Sequence, residues 1–230
     1  MAERGSFTAG PWNDRDFALT WTANDRQDGL LALPRAMAAA IVAADRPDCR
    51  VILDVASGPG SFLASFLKEF PEATGFWSDA SATMLATARE RLDTFGRRVE
   101  FRLVDMTDLR GAELPHDVDV IATSRASHHL DHDGLAAFYR DAAARLAPGG
   151  WLVNLDHIGV EPMWDQRLRA SRHRFVPVRG DRTHHHHTHP LAGVADHLQA
   201  LAAAGLTDVD VPWRAFYTCL IVARANAPTP

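Results

Sequence analysis

The sequence predicts a doubly wound α/β fold, one mostly parallel sheet with helices on both faces. Three observations carry that expectation. Residues 51–63, VILDVASGPGSFL, pass from an apolar β-branched run through a glycine turn into helical spacing. From there to residue 157, short apolar runs alternate with helical patterns, the order that builds parallel sheets. Finally, Asp54, Asp79, Asp105 and Asp156 each stand at or just beyond the end of a successive predicted strand. In open α/β sheets that edge binds ligands.

The first strand, Val51 to Val55, has the composition of a strand buried on both faces. It breaks into Ser57-Gly58-Pro59-Gly60, after which Phe62, Leu63, Phe66 and Leu67 recur at helical spacing. Glycines let a backbone approach a ligand closely. A dinucleotide turn wants a third small residue for helix–strand packing, and Leu63 stands at that place. Asp54 inside the turn disfavours a pyrophosphate and suits a cation. A cofactor bearing an ammonium and a sulfonium therefore fits better than one bearing two phosphates.

The remaining elements follow in order. Residues 1–29 are polar with scattered rings (Phe7, Trp12, Phe17, Trp21) and are expected to lie as a cap across the main domain. A helix is predicted from Leu30 to Ala44, with Leu30, Leu33, Met37 and Ile41 on its apolar face. Ala73 to Trp77 is a second strand ending at Asp79, and Ser81 caps a helix carrying Met84, Leu85, Ala88 and Leu92. Val99 to Val104 and Val118 to Thr123 are the third and fourth strands. A helix from Asp133 to Ala147 is stopped by Pro148-Gly149-Gly150, and Trp151 to Leu155 is the fifth strand. Residues 158–190 read as an irregular, basic insertion forming a lid. The pattern resumes with a helix from Val194 to Ala204 and strands at Asp208 to Val211 and Tyr217 to Ala223. The link between those two is too short for a crossover, so the last of seven strands runs antiparallel. All of this is one domain, 1–230.

These motifs resemble those of the class I S-adenosylmethionine (SAM) methyltransferases, whose fold is a Rossmann-like seven-stranded sheet. The resemblance implies that Asp54, Ala56, Gly58 and Gly60 form the cofactor turn. Asp79, which stands 19 residues after Gly60, takes the place of the acid that holds both ribose hydroxyls, with Ala80 and Met84 beside it. Asp105 and Met106 match the pair that binds the adenine amino group and covers the ring. SRASHHL, residues 124–130, is similar to the stretch after the fourth strand in small-molecule enzymes of the quinone-biosynthesis kind, which lines the cleft between sulfonium and acceptor. Ser124 then belongs to the cofactor side. Two residues depart from the pattern: Arg125 replaces an apolar residue, and Ala56-Ser57 replaces a glycine and cysteine.

Arg125 suits an acceptor with a carboxylate or phosphate, or else turns to a protein carboxylate. His128, His129 and His157 are candidate general bases, because a neutral imidazole can take a hydroxyl proton near pH 7. Trp164, Trp213 and Arg214 are expected to help wall the acceptor pocket. The run His184 to His187 with His189 has spacing that could hold a metal, but no cysteine completes the set. It reads as a polar lid loop, and no metal ligand is assigned.

Composition sets the remaining bounds. In 230 residues, 47% apolar and 23% charged, a net charge of −5 gives no basic footprint for nucleic acid. Cys49 and Cys219 form no framework, the start has no signal-like apolar core, and no run is long enough to span a membrane. The expectation is a cytoplasmic monomer or homodimer that moves a methyl group from SAM to an oxygen, nitrogen or carbon of a small acceptor, one that Arg125 allows to be anionic. Two alternatives stay open: a SAM- or metal-binding regulator without turnover, and a nicotinamide-dependent reductase.

Overall fold

A computed structural model describes residues 12, 14–16, 20, 22, 29–175 and 189–227. Its seven strands are β1 (Val51–Val55), β2 (Thr74–Asp79), β3 (Val99–Leu103), β4 (Val118–Ser124), β5 (Leu146–His157), β6 (Leu206–Ala215) and β7 (Thr218–Ala225). They form one sheet in the order β3-β2-β1-β4-β5-β7-β6. All neighbours pair in parallel except β7, which runs antiparallel to both β5 and β6.

Around the sheet pack α1 (Ala32–Asp45), α2 (Ser61–Glu69), α3 (Ala82–Leu92), α4 (His132–Ala143), α5 (Pro162–Arg172) and α6 (Val194–Ala203). The core divides into two clusters, one for each face of the sheet. The first joins Ala38 and Val42 of α1, Phe62 and Phe66 of α2, and Met84 and Ala88 of α3 to the sheet. The second does the same with Leu135, Phe138 and Ala142 of α4 and Leu201 of α6. Strands β1, β4 and β5 are buried almost throughout, which their continuous apolar runs require. Register then places the site. Val55 pairs with Ser78 and with Thr123, and Ser124 pairs with Leu155. Ala56, Asp79, Ser124 and Asp156 therefore emerge side by side at one edge.

The structure corrects several sequence expectations. Residues 162–172 are not irregular but form α5, opened by Pro162 at its first turn and braced by the Asp165–Arg169 pair four residues apart. Its apolar residues are too few to show a helical stripe in the sequence. The buried face of α1 is Pro34, Arg35, Ala38, Ala39 and Val42, one position round from the predicted face, and Leu33 is exposed. Small alanines let the helix approach closely, which the bulkier face would prevent. Helix α4 stops at Ala143, and β5 starts at Leu146 with an irregularity in its pairing to β4, so Pro148-Gly149-Gly150 lie in a strand. The β6–β7 link shrinks to a turn at Phe216-Tyr217 because β6 reaches Ala215.

Candidate active site

The glycine turn is shaped from beneath by Asp54. Its carboxylate is wholly buried, and Oδ2 accepts from Ser57 Oγ at 2.5 Å and from Leu63 N at 3.0 Å. Burial pushes this carboxyl up to about 7, against the pull of those two donors. Asp54 thus holds the loop from below and does not line the pocket above it. Ala56, Gly58 and Gly60 all have positive φ, at +50°, +54° and +79°. At Gly60 a side chain is excluded twice over, since an added Cβ would also fall 2.7 Å from Leu92 Cδ1. Trp77 Nε1 donates to Gly58 O at 2.8 Å and fixes the turn against β2.

Asp79, at the end of β2, closes the other side. Its Oδ2 accepts from Gly58 N and its Oδ1 from Ser81 N, each at 2.8 Å. Burial raises its pKa, opposed by these backbone donors. Ser81 Oγ caps α3 by accepting from Met84 N at 3.1 Å and donates to Trp12 O at 2.6 Å. One serine thereby ties Trp12 to the rim. Asp105 Oδ1 accepts from both Thr107 N and Thr107 Oγ1 at 2.8 Å, which sets Met106 beneath the pocket.

The pocket brings together Ala56, Gly58, Asp79, Ala80, Met84 and Met106 on one side with Ser124, Arg125 and His129 on the other; Trp12, Ser57 and Ala126 complete it. Its chemistry fits an adenosine bearing a sulfonium: a carboxylate at the end of β2, an open glycine backbone, and two thioether side chains as apolar walls. Ser124 Oγ is buried here with no partner among the described residues, a polar atom left for a ligand.

Beyond the pocket, the loop after β4 is gathered by Asp156. Its Oδ2 accepts from Ala126 N at 3.2 Å, Ser127 Oγ at 2.7 Å and His128 N at 3.0 Å. Its Oδ1 lies 2.6 Å from His128 Nδ1 and accepts from His157 N at 2.7 Å. Burial alone would raise this carboxyl, but His128 and the Ser127 hydroxyl outweigh it and hold it well below the usual carboxylate range. An ionised carboxylate only accepts, so His128 carries its proton on Nδ1 and Nε2 is the basic nitrogen. His129 packs against His128 at a tilt, with centroids 4.1 Å apart, and meets Trp12 edge-on at 6.0 Å. His157 packs 5.3 Å from His128 and pairs its Nδ1 with Thr218 Oγ1 at 2.9 Å. Burial, then the neighbouring His128, lower His157 to about 3, so it stays neutral.

Of the remaining candidates, Trp164 is exposed on α5 under the Arg167 guanidinium, Trp213 packs against the first core cluster, and Arg214 donates to Phe216 O at 3.3 Å. None of the three is in the pocket lining. His184 to His187 lie outside the described residues, while His189 Nε2 sits 3.1 Å from His129 O. Among the described residues no group of three or more His, Cys, Asp or Glu is placed to hold a metal ion. Sequence reasoning missed Trp12 as a rim residue, Asp156 as the hub of the loop, and Asn154 and Tyr139 behind it. For Asn154 a signal existed: an amide inside the apolar run WLVNL asks for buried partners.

Residues 52–150 match the family described as a methyltransferase domain. A 3-amino-4-hydroxybenzoate 4-O-methyltransferase of Streptomyces cremeus is 32% identical over 115 residues, half of this chain but only 30% of that relative's length. An O-methyltransferase family protein from Burkholderia thailandensis superposes with a TM-score of 0.66 at 24% identity, over 90% of this chain and 60% of its own. Human N-acetylserotonin methyltransferase, solved in complex with SAM, superposes at 0.67 with 14% identity, over 97% of this chain and 60% of its own. These structures share the fold, and the family match falls on the glycine turn, Asp79, Met106 and the loop after β4. Residues 52–150 therefore match a methyltransferase domain, carried on a fold shared with a methyltransferase solved in complex with S-adenosylmethionine.

Proposed function

We propose that this chain methylates a hydroxyl oxygen of a small molecule, with His128 as general base. The observation that carries the reading is the 2.6 Å contact between His128 Nδ1 and the ionised Asp156, both buried behind the pocket. When bound, SAM supplies an electrophilic methyl on its sulfonium. Asp79 would hold the ribose hydroxyls, and the backbone of Ala56, Gly58 and Gly60 would accommodate the amino-acid part. Met84 and Met106 would enclose the adenine, Asp105 would meet its amino group, and Ser124 Oγ would offer a further polar contact. Asp54 serves the cofactor indirectly by fixing the turn.

On the acceptor side His128 Nε2 would take the hydroxyl proton as the oxygen accepts the methyl group, with S-adenosylhomocysteine as the leaving group. Asp156 stabilises the imidazolium and holds the ring's orientation. His129 and His157 form the walls beside that ring. Arg125 in the pocket lining supports an acceptor that also carries an anionic group. The name of the Streptomyces relative, with a phenolic oxygen methylated on a benzoate ring, agrees with a base and a guanidinium at one site.

The test is an acceptor panel of hydroxybenzoates, neutral phenols and aromatic amines, followed by release of S-adenosylhomocysteine. Turnover of a hydroxylated acceptor that collapses in His128→Gln is expected. Undiminished turnover in that variant, or turnover of amines alone, overturns the reading.

A further inference from the structure

Behind the site, a line of buried polar groups crosses the second core cluster. Asn154 in the middle of β5 donates from Nδ2 to Ser127 Oγ and to Tyr139 OH, each at 2.8 Å. Ser127 Oγ meets Asp156 Oδ2 at 2.7 Å, and at the far end Tyr139 OH meets His197 Nδ1 at 2.7 Å. All five side chains are buried, on four different elements: β5, α4, α6 and the loop after β4.

Elementary valence fixes the protons from Asp156 through Ser127 to the Asn154 amide. Ionised Asp156 can only accept, so Ser127 spends its hydroxyl proton on it. Ser127 Oγ must then accept, so the Asn154 group facing it is the amide NH2 and not the carbonyl. The same NH2 faces Tyr139, whose oxygen accepts and whose own proton passes to His197 Nδ1. Burial lowers the pKa of His197, which favours a neutral ring that can receive it. Turning the Asn154 amide over would leave two oxygens, Ser127 Oγ and Asp156 Oδ2, facing each other with no proton between them. From Asp156 to the Asn154 amide one arrangement survives.

We infer that Asn154 and Tyr139, neither of which touches the pocket, are positioning residues that hold Ser127 as a donor to Asp156 and so set the hydrogen bond between Asp156 and His128. This rests on the reading of His128 as the base. Without the Asn154 donor, the Ser127 hydroxyl can rotate away, and Asp156 loses one of the three donors on Oδ2. The charge left on the carboxylate then redistributes toward Oδ1 and its imidazole partner.

The experiment uses the full chain labelled with 15N-histidine, by proton NMR in cold water. An Nδ1–H shared with a carboxylate at 2.6 Å should give an exchange-protected resonance far downfield of the amides. Asn154→Leu is expected to move and broaden it while SAM affinity, measured by calorimetry, stays within threefold of wild type. Tyr139→Phe, which keeps the Asn154–Ser127 bond, is expected to move it less and in the same direction. A resonance at the wild-type position in both folded variants overturns the inference. Should Asn154→Leu not fold, Tyr139→Phe decides alone: a shift supports the inference and none overturns it. Retained turnover in His128→Gln would instead sink the base assignment, while a shifted resonance would still establish the proton arrangement.

Discussion

Asp156 Oδ1 and His128 Nδ1 stand 2.6 Å apart in a buried pair, and the second carboxylate oxygen carries three further donors from the loop after β4. One side chain thus orients the imidazole and folds the loop that presents it. The two duties separate by substitution. His128→Gln should keep the loop and lose the base, lowering acceptor-dependent kcat by about 10²- to 10⁴-fold with the KM for SAM unchanged. Asp156→Asn should do more harm, because either amide orientation points an NH2 at buried donors. Its thermal unfolding should report a loss of about 3–5 kcal/mol.

Asp79 joins the glycine turn to the ribose side of the pocket. Asp79→Ala should weaken SAM binding by about 2–3 kcal/mol, roughly 30- to 150-fold, as charge-assisted bonds are lost. Because Asp79 also accepts from Gly58 N, part of the loss comes from a loosened turn. Calorimetry with SAM and with adenosine alone separates the two: a ribose contact weakens both alike, and a loosened turn weakens SAM more.

Gly60 has φ +79° and a place where a Cβ would strike Leu92. Gly60→Ala should cost about 1–2 kcal/mol from backbone strain alone, with the contact added to it. Leu92→Ala in the same chain should relieve the contact and leave the strain. Denaturant midpoints of the two variants check this. Gly58 is also at positive φ, so Gly58→Val would strain the turn as well as block the pocket.

Asp54 predicts a pH dependence with a definite sign. Its folded pKa, about 7, lies above its unfolded value near 3.8, so the native state binds the extra proton. Stability from this group is fully present below about pH 4 and is lost as pH rises to 7, by roughly 4 kcal/mol at most. Asp156 works in the opposite sense: its folded pKa is depressed, so its contribution holds above the ordinary carboxylate range and is lost on acidification below it. Asp54→Asn should flatten the slope of unfolding free energy between pH 4 and 7 and leave the acid limb in place. An unchanged slope would show that Asp54 stays ionised.

Arg125 carries the anionic-acceptor proposal. Arg125→Leu should raise the KM of a hydroxybenzoate, with kcat/KM falling about 30- to 1,000-fold, and spare neutral phenols and SAM affinity. Equal effects on charged and neutral acceptors would make Arg125 a structural residue. Its φ of +52° is retained by leucine, so a loss of stability is not expected from the backbone.

The sequence by itself determined the sheet, the glycine turn and the row of ligand-facing ends. Buried strands need continuous apolar runs, and a chain turning under a ligand needs residues without side-chain bulk at positive φ. Both demands are local and show in the order of residues, as do Asp79, Met106 and the histidine loop. What Asp54 and Asp156 do was not legible, because a carboxylate at a strand end reads the same whether it faces a ligand or a backbone amide. Only tertiary structure put Ser57 and Leu63 above Asp54, and joined His128, Ser127, Asn154 and Tyr139 behind Asp156. The buried face of α1 was decided the same way, by which surface could approach most closely. Local spacing sets which elements form; the partners of a buried polar group come from distant parts of the chain, and packing alone brings them within reach.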